Sequence, residues 1–123
     1  MGRLLVNRMI KVIIFINKEG YIGKYNISGH AGYDAKGKDI VCAAVSALAQ
    51  TTLISLVEVC GIEENQIEYF IDEEKGILDV SIPQIIDIDT RDKTEVVLRT
   101  LEIGIKSIQK SYPEFIILEY GEV

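Results

Sequence analysis

Eighteen consecutive residues, Ile40 to Val57 (IVCAAVSALAQTTLISLV), carry no charge. As a helix, at ~1.5 Å per residue, this run is about 27 Å long, nearly enough to cross a bilayer. Any fold of this chain has to hide it. Its apolar residues, among them Ile40, Val41, Ala44, Val45, Leu48, Leu53, Ile54, Leu56 and Val57, lie on nearly every side. A helix packed on one sheet alone would keep a polar face. Ser46, Gln50, Thr51, Thr52 and Ser55 interrupt the run, and no basic flank stands at one end only. The pattern predicts a buried core helix rather than a membrane span, with a second surface covering its outer side. In a chain of 123 residues a partner subunit is the natural source of that surface, which predicts a homodimer.

The flanks give this helix its ends. Asp39 reads as its N-cap and Gly61 as its C-terminal stop, so the helix is expected over Asp39–Cys60. Upstream, the Ile/Val-rich stretch Met9–Asn17 and the stretch Tyr21–Ser28 read as a hairpin around Glu19-Gly20. Gly29–Lys38 holds three glycines in ten residues and reads as a loop. Downstream, Ile67–Ile71 and Ile77–Ile82 read as a second hairpin. A second helix is expected over Thr90–Ser111, with Val97, Leu101, Ile105 and Ile108 as its apolar stripe and Pro113 marking its end. Phe115–Tyr120 is the last strand. The order β-β-α-β-β-α-β predicts one α/β domain over residues 1–123. It has two layers, with a mixed or largely antiparallel sheet packed by two helices.

The net charge of −6 argues against direct nucleic-acid binding, which needs a basic face, and suits a basic partner. Cys42 and Cys60 are eighteen residues apart on one helix, ~27 Å and too far to bridge. The start MGRLLVNRMIKVII makes a poor signal peptide, because Lys11 breaks its apolar run and no small-residue cleavage site follows. A reducing cytoplasm is the expected compartment. One histidine and two distant cysteines cannot make a usual zinc set, so neither metal nor cofactor is expected.

The loop poses the functional question. GYDAKGKD, Gly32–Asp39, differs by one residue from the phosphate-cradling G-x-x-x-x-G-K-[S/T]. Asp39 stands where the magnesium-binding hydroxyl belongs and puts a negative charge beside the phosphates. The strand before the loop also belongs to a hairpin rather than to a parallel sheet. A cysteine site fits the same loop. With Asp39 as N-cap, Cys42 falls in the first helical turn, where the positive end of the dipole favours a thiolate. His30, the only histidine, stands at the loop's other foot and can take the thiol proton. Gly29, Gly32 and Gly37 let the loop hinge and aim backbone N–H groups at an oxyanion, with the Cys42 N–H as a candidate donor. Each residue also has a plainer explanation. Cys42 suits an inert core position, His30 a solvated strand end, Asp39 a cap alone, and Ser46 a bond to the backbone one turn earlier.

The joint pattern Gly29-His30-Ala31, Gly37, Asp39, Cys42 and Ser46, within GHAGYDAKGKDIVCAAVSAL, resembles the ribosomal-processing cysteine protease family, Prp. The resemblance implies a bacterial homodimeric cysteine endopeptidase that removes the N-terminal extension of large-subunit ribosomal protein L twenty-seven. It places the family's catalytic residues on Cys42 and His30 and its supporting residues on Asp39, Ser46 and Gly29. The loop, with Ala31, Gly32, Gly37 and Lys38, is then expected to close over the substrate. The competing expectation is a non-catalytic, ribosome-associated dimeric module with Cys42 merely buried.

Overall fold

A computed structural model describes residues 9–29, 38–85 and 87–123. Its elements are β1 (Ile10–Ile16), β2 (Ile22–Ser28), α1 (Lys38–Glu58), a 3-10 turn (Glu64–Gln66), β3 (Glu68–Asp72), β4 (Ile77–Ser81), α2 (Ile88–Ser111) and β5 (Ile116–Glu122). The expected order holds. The five strands form one mixed sheet in the order β3-β4-β2-β1-β5. Only β1 and β5 run parallel; the other neighbours are antiparallel. β2 therefore lies between two antiparallel partners, unlike the strand that leads into a phosphate loop.

Strand alternation makes the two layers. Ile10, Val12 and Ile14 of β1 are fully buried, whereas Lys11 between them is exposed and pairs with Glu119 at 3.1 Å. Period-two alternation sends one set to the core and the other to water. The outer face is correspondingly polar. Asn26 donates to Asp79 Oδ2 at 2.8 Å, and Lys24 Nζ stands 3.5 Å from the same oxygen. Both helices cover the inner face.

α2 buries Leu98, Leu101 and Ile105, with Val97 and Ile108 packed at the margin. It starts two residues earlier than the sequence suggests because Asp87 caps it, accepting from the Thr90 N–H at 3.0 Å and the Thr90 hydroxyl at 2.8 Å. Gly104 lets the helices close on each other, since a Cβ there would stand 2.5 Å from Leu48 Cδ2.

α1 begins at Lys38, so Asp39 lies inside its first turn rather than capping it. At the other end Gly61 adopts φ +78. The Gly61 and Ile62 N–H groups donate to the Val57 and Leu56 carbonyls, each at 3.1 Å, so the expected stop is present. Val41, Val45, Ala49 and Leu56 are fully buried against the sheet. The buried Tyr25 hydroxyl pins the helix by donating to the Ala49 carbonyl at 3.0 Å. By length and composition Asp39–Glu58, with mean hydropathy 2.0, is apolar enough to cross a membrane, but here its inner face forms the core. Among the described residues nothing covers its outer side, with Ile40 63% and Ile54 56% exposed, and Tyr69, Phe70 and Ile71 of the edge strand β3 are also exposed.

Candidate active site

Two contacts fix how α1 runs along β2. Tyr25 meets Ala49, and Ile27 and Ser46 line one groove. Moving along β2 towards its C-terminus thus means moving along α1 towards its N-terminus. From Ser46, Cys42 is one turn further, ~6 Å. From Ile27, Gly29 is two residues further, ~7 Å. The end of β2 and the cysteine therefore converge at one end of the sheet. Register brings the β3–β4 turn there too, because Leu78 pairs with Ile27.

Gly29 is a demanding position. Its φ is +84, and a Cβ would stand 2.5 Å from the Met9 carbonyl oxygen. The chain leaves β2 in a left-handed conformation pressed against the start of β1, which only glycine tolerates. His30, Ala31, Gly32 and Gly37 lie outside the described residues.

Cys42 is 9% exposed and forms no disulfide. With α1 starting at Lys38, Cys42 is its fifth residue and not in the first turn. This corrects two expectations. The helix dipole acts mainly within the first turn, so it favours a Cys42 thiolate less than predicted. The helical bonding pattern also commits the Cys42 N–H to the Lys38 carbonyl, four residues back, which removes it as an oxyanion donor. Lys38 itself opens the helix and is not part of the loop. Asp39 is exposed in the first turn, where an acidic side chain suits the positive helix end and water screens its charge from the thiol.

Ser46 is half-buried on the cysteine's helix face. It lines a groove of about 310 Å³ between α1 and the β3–β4 hairpin, together with Gln50, Ile27, Asp72, Glu73 and Ile77. The floor is apolar and two carboxylates border it. Sequence reading finds Ser46 but not Asp72, Glu73 or Gln50. The hairpin residues reach the site only through strand register, and their sequence reads as an ordinary turn. Cys60 is buried at the far end of α1, well away from this groove.

Known proteins share this chain's sequence pattern and fold. A sequence model of the family described as cysteine protease Prp matches residues 9–117. The ribosomal processing cysteine protease Prp of Staphylococcus aureus (strain Mu50) is 31% identical over 113 residues, covering 91% of this chain and 99% of the relative. That of Bacillus subtilis (strain 168) is 24% identical over 106 residues, covering 86% and 92%. Among solved structures, the S. aureus protease in complex with a substrate peptide superposes with TM-score 0.79 at 26% identity, covering 91% of this chain and 99% of that one. The form with a covalently linked product peptide gives 0.72 at 28% identity with the same coverage. The family match runs from the residue that touches Gly29 to the last strand of the sheet, so this chain belongs to the Prp cysteine protease family and is a cysteine endopeptidase.

Proposed function

We propose that Cys42 is the nucleophile and His30 its base, and that the enzyme removes the N-terminal extension of ribosomal large-subunit protein L twenty-seven. The observation that carries this reading is the convergence of Cys42 with Gly29, the residue before His30, beside the groove at Ser46. Cys42 Sγ attacks the scissile carbonyl carbon while His30 takes the thiol proton. The tetrahedral oxyanion needs donors other than the Cys42 N–H, and the glycines of the loop supply candidates in Gly32 and Gly37. Collapse expels the amine, which takes the proton back from His30. Water, deprotonated by His30, then hydrolyses the thioester and restores the thiol. The product peptide covalently linked in the S. aureus relative supports such a covalent route. No cofactor enters any step.

Asp39 and Ser46 support the site, Asp39 at the helix start and Ser46 at the groove wall. Ala31 to Gly37 close over the peptide, with Lys38 as the anchor at the loop's helical end. The net charge of −6 steers a basic ribosomal substrate towards the enzyme. The enzyme works in the cytoplasm as a homodimer, with the uncovered side of α1 and the edge strand β3 buried between copies.

The test is cleavage of the extended ribosomal protein by the parent, Cys42→Ala and His30→Ala. Loss of the shortened product in both variants is expected. Undiminished cutting by Cys42→Ala overturns the mechanism, and an uncut extension with the parent overturns the substrate. The competing expectation of a non-catalytic module is set aside by the match to the cysteine protease family.

A further inference from the structure

A second cavity lies at the opposite end of the sheet from Cys42. It borders β2 at Gly23, whereas β2 reaches the cysteine's end at Gly29, ~20 Å further along the strand. Its volume is about 450 Å³, and its walls include Lys18, Tyr21, Ile82, Ile85, Ile88 and Arg91.

Arg91 makes this cavity unusual. The residue is 7% exposed, yet among the described residues its Nε and Nη2 have no hydrogen-bond acceptor. Its guanidinium stacks on the Tyr21 ring, 4.3 Å from the centroid, which offers a π face but no lone pair. Glu95 Oε1 stands 3.7 Å from Nη2, beyond hydrogen-bond range. Other donors hold it there: Oε1 accepts from the Ile22 N–H at 3.2 Å and Oε2 from Arg99 Nε at 2.7 Å. One carboxylate thus serves two guanidiniums, and Arg91 has the weaker share. Buried charged donors without acceptors are costly, and such a group calls for a missing partner.

The two orphaned nitrogens form the side edge of the guanidinium, which accepts both oxygens of a carboxylate in a planar fork. We propose that this cavity is a second binding site, for a small organic carboxylic acid whose carboxylate docks on the Nε–Nη2 edge of Arg91 while its carbon body lies on Ile82, Ile85 and Ile88. Both nitrogens are beneath the surface, so the ligand enters between the side chains that line the cavity, while the Tyr21 ring stays stacked on the guanidinium face. The surroundings select the charge of the ligand. Lys18 and Arg91 attract an anion, but Glu19, Glu95, Asp87 and Asp89 stand on the adjoining segments. A monoanionic carboxylate meets less repulsion than a phosphate dianion.

The experiment is an NMR titration of the full chain with benzoate and, separately, inorganic phosphate, following the Arg91 Nε–Hε and Tyr21 ring signals. Saturable shifts at both with benzoate, and weaker binding of phosphate, are expected. Arg91→Met should abolish the benzoate response. Arg91→Lys, which keeps the charge and loses the fork, should weaken it by about tenfold. The absence of a saturable shift with either probe overturns the site, as does equal benzoate affinity in Arg91→Lys. Tighter binding of phosphate than of benzoate overturns the carboxylate assignment.

Discussion

Gly29 and Met9 are in contact so close that no side chain fits between them: a Cβ on Gly29 would stand 2.5 Å from the Met9 carbonyl oxygen. That contact welds the end of β2 to the start of β1 at the point where the chain departs towards His30. A methyl group there meets backbone, which cannot step aside, and φ of +84 disfavours any L side chain. Gly29→Ala is expected to lose about 1–3 kcal/mol of stability and, on the role proposed for the neighbouring His30, to lower cleavage further. Urea unfolding alongside a peptide-cleavage assay checks this. A variant with parental stability and activity would show that the loop is not aimed by this contact.

The sequence legible at Gly29 was its membership of a motif, not the reason for it. The contact with Met9 depends on the pairing of Lys11 with Ser28, and register is invisible in composition. The element order was readable because strand alternation in β1 and the apolar stripe of α2 are strong periodic signals. α1 starts at Lys38, two residues before the Ile40 that follows an Asp39 cap. Aspartate is as acceptable in a first turn as at a cap, and the sequence does not separate the two. That shift moves Cys42 from the third to the fifth helical residue, out of the first turn. The groove residues Asp72 and Glu73 were missed because tertiary pairing, rather than local pattern, carries them to Ser46.

The reactivity of Cys42 follows from that shift. With less help from the helix dipole, the proposed mechanism rests the activation of Cys42 on His30. Brief treatment with iodoacetamide should therefore modify Cys42 well ahead of Cys60, which is 4% exposed at the far end of α1. His30→Ala should slow the Cys42 reaction by ~100-fold, the low end of what a positioned base contributes. Peptide mapping by mass spectrometry reads both sites in one experiment. Equal labelling of the two cysteines, or a rate indifferent to His30, would overturn the roles proposed for Cys42 and His30.

Tyr25 should give the protein a measurable alkaline sensitivity. Burial pushes its hydroxyl well above the ordinary tyrosine value of 10.0. Below that value the side chain is neutral in both folded and unfolded chains. Above it the unfolded chain ionises while the folded one does not, so the stabilising contribution is lost as pH rises towards the folded pKa, at about 1.4 kcal/mol per pH unit. Tyr25→Phe also removes the bond to the Ala49 carbonyl, at a cost of about 1 kcal/mol near neutrality. The variant should thus be less stable than the parent below the tyrosine pKa, and the gap should shrink or reverse above it. Urea midpoints across that pH range decide the matter. A gap that stays constant would mean that Tyr25 ionises as easily folded as unfolded.

The outer side of α1 makes the last prediction. Ile54 on the helix and Tyr69 and Ile71 on the edge strand line one apolar depression together with Leu53 and Val57. Ile54, Tyr69, Phe70 and Ile71 are all exposed in the single chain. A surface of this kind, beside the edge strand β3, invites association, and among the described residues no other element covers it, with Glu58 and Glu64 at its rim. If a second copy supplies that cover, the parent should sediment as a dimer of the 13.8 kDa chain. Ile54→Asp should weaken association by at least ~30-fold, the cost of a buried hot spot at about 2 kcal/mol. Its monomer should keep its stability, because Ile54 contributes little to the core of one chain. Sedimentation velocity over a concentration series, with unfolding measured on the same samples, separates the two effects. A parent that remains monomeric throughout would rule out self-association, and Ile54→Asp that dimerises like the parent would place the interface elsewhere.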